Sequence, residues 1–168
     1  MKMKMESDIT AHINSPIGVI SLNFNSKFEL TAAQFNDKEQ LLPSANAVGI
    51  REIENTVKQF EEYFEGKRTQ FDLKLAPEGT EFQKKVWKQL QEIQFGKTMS
   101  YQQMANQLGN PKVIRAAASA NGRNPISIII PCHRVIGSDG SLTGYAGGLH
   151  RKKWLLEHEN PVKQQSLF

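Results

Sequence analysis

The chain has 168 residues, one cysteine and a formal net charge of +4 at pH 7. Its length suits one large domain or two small ones, and its composition is that of an ordinary soluble globular protein. No apolar stretch is long enough for a membrane span or a signal peptide, so we expect a cytoplasmic protein with no membrane partner. A single cysteine excludes an internal disulfide, and the four histidines lack ligand spacing, so we predict no metal and no cofactor.

The charge is divided unevenly along the chain. Residues 1–79 contain nine Lys or Arg against twelve Asp or Glu, whereas residues 80–168 contain twelve against five. The basic second half favours a polyanionic partner such as DNA. On charge alone, a solvated basic face without a partner fits equally well.

The first half of the chain alternates like a sheet and contains one helix. Residues 50–65 have helical spacing, and Gly66 follows as a C-cap. Three short segments rich in β-branched and aromatic residues predict strands, over residues 17–24, 28–32 and 71–75. We therefore predict a small N-terminal α/β domain over residues 1–76, with a mixed sheet plus a helix, and a linker up to Gly79.

The second half begins with a capping box, Thr80 with Gln83, that predicts a helix start. A second box, Ser100 with Gln103, opens a short helix that Gly109 ends. After the Asn110-Pro111 corner, an alanine-rich helix over residues 113–120 completes a pattern typical of a helix-turn-helix. An ordinary helical hairpin in a core fits the same pattern.

Residues 126–130 form a short apolar run that predicts a buried extended segment leading to Cys132. The stretch from Gly137 to Gly148 predicts a loop, and residues 149–159 predict a closing helix. The fold class is therefore α/β (α+β), with a mainly helical, winged-helix-like C-terminal domain over residues 80–160 and a flexible tail over residues 161–168.

Cys132 is either inert packing or a nucleophile. A thiol attacks carbon as the thiolate, which requires a nearby base or a helix N-terminus. His133 and His158 are the candidate bases, and Glu157 and Glu159 are available to orient them. These residues by themselves leave the choice between packing and chemistry open.

Longer motifs in the second half resemble the O6-alkylguanine-DNA alkyltransferases, also called methylated-DNA–protein-cysteine methyltransferases. The resemblance covers essentially residues 80–160, and the order and spacing of the motifs match throughout. The motifs are Ser100-Tyr101-Gln102-Gln103, Gly109-Asn110-Pro111, Arg115-Ala116, Asn124-Pro125, Ile130-Pro131-Cys132-His133-Arg134-Val135, Tyr145-Ala146-Gly147-Gly148-Leu149 and Trp154-Leu155-Leu156-Glu157-His158-Glu159.

The resemblance implies DNA repair by direct reversal of O6-alkylguanine, with O4-alkylthymine as a further candidate substrate. The alkyl group would pass once and irreversibly to Cys132 after the base is flipped out of the duplex. His133 would take the thiol proton through a bound water, Glu159 would orient His133, and Tyr101 would donate toward N3 of the guanine. These four residues are the predicted catalytic set.

The resemblance also implies how DNA and the flipped base are held. The guanine would be bound by the carbonyls of Cys132 and Val135 and the amide of Ala146, with Asn124 holding the backbone behind the cysteine. The predicted substrate-binding residues are Val135, Tyr145, Ala146 and Asn124. Arg115 would replace the extruded base in the stack, and the predicted DNA-binding residues are Arg115, Ser100, Ala116 and Arg123.

Two other functions compete with repair. A DNA-binding regulator that responds to alkylation without turnover would need only the helix-turn-helix, and a thiol hydrolase would need only the cysteine, histidine and glutamate. The chain shows no second regulatory domain and no acyl-enzyme signature, so repair by a monomer that binds double-stranded DNA is the favoured hypothesis.

The last five residues, Gln164 to Phe168, resemble the pentapeptide by which many bacterial proteins dock on the replication sliding clamp. Gln165 stands where leucine is usual. An extended peptide of this kind would place Leu167 and Phe168 in an apolar pocket of the clamp. The alternative is a tail that folds back on its own domain.

Overall fold

The computed structural model describes residues 9–38 and 49–160. They fall into two compact units that divide between Glu78 and Gly79. None of the described helices combines the length and apolar character needed to cross a membrane.

The N-terminal unit is an antiparallel three-stranded sheet with one helix. The strands are β1 (Ile9–Ser15), β2 (Gly18–Phe24) and β3 (Leu30–Phe35), in the order β1-β2-β3, and the helix is α1 (Arg51–Phe64). Alternate residues are buried in β1, at Ala11 and Ile13, and in β2 from Ile20 to Phe24, as a sheet with one covered face requires. Gly66 has a left-handed φ of 77° immediately after the helix, which fits its predicted role as a C-cap.

The prediction of a strand over residues 28–32 was wrong at its edges, the one over residues 71–75 was wrong, and β1 was not predicted. The third strand begins at Leu30, because Phe28 lies in a turn with φ of 61°. Residues 71–75 form no strand and make only a single bridge, from Leu75 to Leu30. The reason is Gln59, whose side chain accepts from the amide of Asp72 at 2.9 Å and donates to its carbonyl at 3.1 Å. A side chain thus replaces the neighbouring strand.

The C-terminal unit is mainly helical, which confirms the α+β prediction. Both predicted capping boxes are present, at Thr80 with Gln83 and at Ser100 with Gln103. Its elements in chain order are α2 (Glu81–Leu90), β4 (Met99–Ser100), α3 (Tyr101–Gln107), a 3-10 helix (Pro111–Val113), α4 (Ile114–Gly122), a second 3-10 helix (Cys132–Arg134), β5 (Val135–Ile136) and α5 (Leu149–Glu159).

Helix α4 is held against its neighbours by small residues and one buried hydrogen bond. The alanines at 117 and 120 are 0% and 2% exposed, so they pack inside the unit. The indole of Trp87 on α2 donates to the carbonyl of Ala120 at 2.8 Å. Ala117 and Ala120 thus face the core, whereas Ala116 and Ser119 of the same helix are exposed.

Candidate active site

The segment before the cysteine is a series of tight turns, and the predicted extended conformation is wrong. The amide of Ile130 donates to the carbonyl of Ile126 at 3.1 Å, and Ile128 has a left-handed φ of 74°. A β-branched residue rarely adopts that conformation. Ile128 is 1% exposed, so burial of the apolar run holds it there. Packing overrides β propensity and places Cys132 at the start of a 3-10 helix.

The side chain of Asn124 ties these turns together. Its Nδ2 donates to the carbonyl of Ile130 at 2.7 Å, and its Oδ1 accepts from the amide of Ile126 at 3.0 Å. Both bonds are buried, where a lost partner costs about 1–3 kcal/mol. Asn124 therefore fixes the backbone two residues before Cys132.

Cys132 itself is 5% exposed. Burial raises the pKa of its thiol, and this effect outweighs a hydrogen bond from Asn124 and the positive charge of Lys152, which both lower the pKa. The thiolate is the reactive form of cysteine. At neutral pH this thiol therefore requires a base that removes its proton, and the site does not hold a preformed thiolate.

His133 lies next to a buried carboxylate. Its Nε2 is 2.8 Å from Oε2 of Glu159, and neither side chain is more than 1% exposed. Burial lowers the pKa of His133 despite the opposing effect of Glu159, so the ring is neutral at pH 7. A carboxylate only accepts, so the bonding pattern assigns the proton to Nε2. Nδ1 is then an acceptor, and it is buried without a hydrogen-bond partner among the described residues.

The other candidate base does not share this environment. The ring of His158 stacks on Trp154, with centroids 4.8 Å apart and planes 18° from parallel. His133 is the candidate that follows the cysteine in the chain and is bonded to the buried carboxylate of Glu159.

Arg134 holds the same carboxylate from the other side. Its Nε donates to Oε1 of Glu159 at 2.8 Å, and a terminal nitrogen donates to Oε2 at 3.1 Å. Its other terminal nitrogen donates to the carbonyl of Ile93 at 2.6 Å. Burial by itself raises the pKa of Glu159, but His133 and Arg134 outweigh it and bring the pKa to about 2. The carboxylate therefore stays ionised and fixed at neutral pH.

An open cavity of about 500 Å³ lies beside α4. The hydroxyl of Tyr101 donates to the carbonyl of Thr143 at 3.1 Å within it. Burial raises the pKa of Tyr101 and raises that of Tyr145 well above its usual value, and the charge of Cys132 adds to both shifts. Both tyrosines are thus protonated donors at pH 7. The cavity is lined by Tyr101, Ile114, Arg115, Ala118, Gly122, Thr143, Gly144 and Tyr145.

The predicted DNA-binding residues lie on the exposed side of the unit. Arg115 and Ala116 are exposed near the start of α4, and Arg115 also lines the cavity. Arg123 is the exposed residue that ends the same helix. Ser100 caps α3, and its hydroxyl accepts from the amide of Gln103 at 3.0 Å.

The remaining predicted substrate contacts are backbone groups. The carbonyl of Cys132 accepts from the amide of Val135 at the end of the 3-10 helix. Val135 is fully buried in β5 and pairs with Met99 of β4. Ala146 is exposed in the loop before α5, next to Tyr145.

Two buried residues near the cysteine were not predicted. The side-chain Nδ2 of Asn121 donates to the carbonyl of Cys132 at 3.5 Å, and Oδ1 of the same side chain is buried without a hydrogen-bond partner in the described part of the chain. Lys152 is 0% exposed and donates to the carbonyl of Thr143 at 2.8 Å. Lys152 stands among basic residues in the sequence, which is typical of an exposed segment. Helical spacing, however, puts it on the same face as the buried Leu155 and Glu159.

A buried cysteine, a carboxylate-bound histidine acceptor and an open cavity on a helix-turn-helix define a protein with a nucleophilic thiol on a DNA-binding scaffold. Family models place the chain within that class. A model described as 6-O-methylguanine DNA methyltransferase, DNA binding domain, matches residues 81–161. A second, described as 6-O-methylguanine DNA methyltransferase, ribonuclease-like domain, matches residues 9–77.

Individual relatives agree over nearly their whole length. A methylated-DNA–protein-cysteine methyltransferase of Methanosarcina barkeri is 50% identical over 148 residues, covering 88% of this chain and 94% of the relative. The crystal structure of Mycobacterium tuberculosis OGT in complex with DNA has a TM-score of 0.78 and 40% identity, and the match covers 95% of this chain and 99% of that one. The chain belongs to the methylated-DNA–protein-cysteine methyltransferase family.

Replacing Glu159 by glutamine should remove part of the free energy of unfolding that varies with pH in the acid range. The pKa of this carboxyl falls from 4.5 to about 2 in the fold, so its contribution is complete above pH 4.5 and is lost as the pH falls toward 2. A shift of this size corresponds to about 3 kcal/mol. Urea unfolding between pH 2 and 7 should show a lower free energy of unfolding for Glu159→Gln than for the wild type at pH 7. Below pH 4.5 the free energy of unfolding of the variant should fall less steeply with pH than that of the wild type.

The matched control is Glu92→Gln, at an exposed position. It should reproduce the profile of the wild type. If the free energy of unfolding of Glu159→Gln falls as steeply below pH 4.5 as that of the wild type, the ionised Glu159 carboxylate is not the source of this pH dependence.

Proposed function

We propose that this protein repairs DNA by transferring an alkyl group from O6 of guanine to its own Cys132. We propose O4-alkylthymine as a second substrate of the same reaction. The observation that carries this proposal is the buried ring of His133, the residue after the cysteine, with one nitrogen bound to Glu159 and the other available as an acceptor. Residues 80–160 form the DNA-binding and alkyltransferase domain in this proposal. We further propose that the protein acts as a monomer in the cytoplasm, where reducing conditions would keep Cys132 a thiol.

The first step is removal of the thiol proton. Nδ1 of His133 takes it through a bridging water, and the imidazolium that forms is stabilised by the carboxylate of Glu159. Because that carboxylate is already ionised and held by Arg134, little reorganisation accompanies the transfer. The reaction therefore begins with a proton leaving a thiol whose pKa is raised by burial.

The second step is displacement at the alkyl carbon. The sulfur of Cys132 forms a bond to carbon while the bond from carbon to O6 breaks, and the electron pair of that bond passes to the guanine. Tyr101 donates a hydrogen bond toward N3 as negative charge develops on the purine. The guanine then gains one proton, which balances the proton that the thiol lost. The thioether product has no route back, so each molecule reacts once.

The burial of the cysteine explains why the base must leave the duplex. A stacked base cannot reach a thiol that is 5% exposed. In the proposed complex the carbonyls of Cys132 and Val135 accept from the guanine amino group and the amide of Ala146 donates to O6. Tyr145 covers the base, and Asn124 keeps the cysteine backbone in place.

DNA contacts follow from the exposed face of α4. Arg115 fills the space left by the extruded base, and Ser100, the backbone of Ala116 and Arg123 contact phosphates. Arg115 is suited to this because it is exposed and lines the same cavity that would receive the base. Binding that depends on phosphates should weaken as salt is added and show little sequence preference.

Replacing Cys132 by serine should abolish alkyl transfer and leave DNA binding largely intact, because a hydroxyl is a far weaker nucleophile at neutral pH. The measurement is the mass of the protein after incubation with duplex DNA that contains O6-methylguanine. The wild type should gain one methyl group, and Cys132→Ser should gain none. A wild type that gains no mass while it binds DNA would favour the alkylation-responsive regulator instead.

Replacing Arg115 by alanine should slow repair of a duplex lesion by about tenfold or more, because a lost stacking residue leaves the flipped state less stable by roughly the few kcal/mol of unstacking. Its rate with free O6-benzylguanine should change little. The control is Arg51→Ala, an exposed arginine in the N-terminal unit. Equal slowing of both substrates would show that Arg115 is structural.

The tail motif lies outside the described residues, and its role remains a proposal. We infer from the sequence that Gln164 to Phe168 dock on the replication sliding clamp, which would raise the local concentration of the protein near newly copied DNA. Calorimetry should show binding of the intact protein to the clamp and none for a variant in which Leu167 and Phe168 are both alanine. Equal heats for the two proteins, or no binding by either, would end the idea.

A further inference from the structure

The carbonyl of Thr143, in the wall of the cavity, accepts two hydrogen bonds. The hydroxyl of Tyr101 donates to it at 3.1 Å, and Nζ of Lys152 donates to it at 2.8 Å. The ammonium also lies 5.7 Å from the centre of the Tyr101 ring. Thr143 and Tyr101 both line the cavity of about 500 Å³. One backbone oxygen thus joins helix α3, helix α5 and the loop between β5 and α5.

The hydroxyl of Tyr101 cannot serve this carbonyl and a substrate at the same time. A phenolic hydroxyl has one proton, so it donates one hydrogen bond at full strength. In the proposed reaction that bond goes to N3 of the flipped guanine. The bond from Tyr101 to Thr143 must therefore break before the tyrosine can bind the base.

Lys152 cannot leave the carbonyl in the same way, because its ammonium is buried. Lys152 is 0% exposed, whereas Lys153 beside it is exposed. The bond to Thr143 is the one hydrogen bond that the described part of the chain gives this ammonium. A buried charged group that loses its hydrogen bond is strongly disfavoured. We therefore expect the ammonium and the carbonyl to stay together when Tyr101 leaves.

We propose that Tyr101 is a switch between two acceptors, the carbonyl of Thr143 and N3 of the flipped guanine. Lys152 is the positioning residue that holds the carbonyl after Tyr101 has left it. The inference rests on the proposed alkyl transfer and adds a step to it, before the proton leaves Cys132. No proton is transferred in this step, because Tyr101 keeps its hydroxyl proton and exchanges only its acceptor.

The loop that follows Thr143 contains the groups that the flipped base is proposed to meet. Gly144, Tyr145 and Ala146 come next in the chain, and the first two line the cavity. A Cβ at Gly144 would lie 3.7 Å from the hydroxyl oxygen of Tyr101, so the loop and the hydroxyl are in close contact. A loop that moved when Tyr101 left would displace these groups, and a misplacement of about 1 Å can cost about 100-fold in rate.

The far end of this loop is tied to α5 by a different side chain. One terminal nitrogen of Arg151 donates to the carbonyl of Gly147 at 3.1 Å, and Arg151 is 5% exposed. Since that end has its own buried donor, the position of the Thr143 end is the one that depends on Tyr101 and Lys152.

The first test follows the carbonyl itself by nuclear magnetic resonance. The carbon-13 signal of the Thr143 carbonyl is recorded in full-length Cys132→Ser, alone and with duplex DNA. Loss of one of the two donors should move this signal when the duplex contains O6-methylguanine. Undamaged duplex, and duplex with 3-deaza-O6-methylguanine, which has carbon in place of N3, should leave it unmoved. Free Tyr101→Phe should already show the moved signal, because it has no hydroxyl.

An unmoved signal with O6-methylguanine, or an equal shift with the 3-deaza base, would overturn the switch. The same samples report on Lys152 without any change to that residue, so they do not depend on how its variants fold. Its ammonium nitrogen should remain coupled to the Thr143 carbonyl carbon across the hydrogen bond, in both the free and the lesion-bound protein. Loss of that coupling on binding would overturn the positioning role.

A kinetic cycle tests whether the two side chains act together. Lys152→Met should slow alkyl transfer at saturating duplex O6-methylguanine by about tenfold or more, because nothing then holds the carbonyl after Tyr101 leaves. In the Tyr101→Phe background the same change should cost about threefold or less, since no bond to Thr143 breaks on that path.

The matched control is Lys153→Met, at an exposed position on the same helix, and it should react at the rate of the wild type. Equal slowing by Lys152→Met in both backgrounds would show that Lys152 is structural and does not act through Tyr101, which contradicts the proposal. A wild type that gains no methyl group from alkylated DNA would instead refute the proposed function, whatever the spectra show.

Discussion

The buried carboxylate of Glu159 is the interaction on which the rest of the site depends. It binds the ring of His133 at one oxygen and the guanidinium of Arg134 at both. Arg134 also donates to the carbonyl of Ile93. Through Arg134, the Glu159 carboxylate at the end of α5 is therefore linked both to the cysteine-bearing 3-10 helix and to the segment after α2. Removing it would leave a buried cation unpaired and a histidine unoriented, which makes stability and chemistry inseparable at this point.

Helix α5 carries three buried charged side chains, those of Arg151, Lys152 and Glu159. Glu159 and Lys152 are seven residues apart, close to two helical turns, so they share one face of the helix. The acid has its cations supplied by the 3-10 helix, whereas the ammonium donates to the carbonyl of Thr143 and lies near the ring of Tyr101.

Helix α4 joins the proposed DNA contact to the cavity. Ala117 and Ala120 anchor it inside the unit, and Trp87 binds its backbone. Arg115 and Ala118 line the cavity from the same helix. A helix that is rigidly packed on one face can hold both a side chain directed at DNA and the wall of a base pocket, so contact with the duplex and capture of the base share one element.

Sequence patterns determined the local structure of the C-terminal unit because the signals there are local. Both capping boxes, the closing helix at 149–159 and the corner before α4 follow from hydrogen bonds within a few residues. Motif spacing likewise indicated the family, since these residues stand at defined positions in the chain.

Only the tertiary structure decided the features that depend on distant partners. The run before Cys132 is rich in β formers, yet burial bends it into turns with Ile128 in a left-handed conformation. Residues near Asp72 alternate like a strand, yet Gln59 occupies their backbone bonds. The protonation of the cysteine and the burial of Lys152 are decided in the same way, because desolvation and charge pairing depend on which groups the fold brings together, and these lie far apart in the chain.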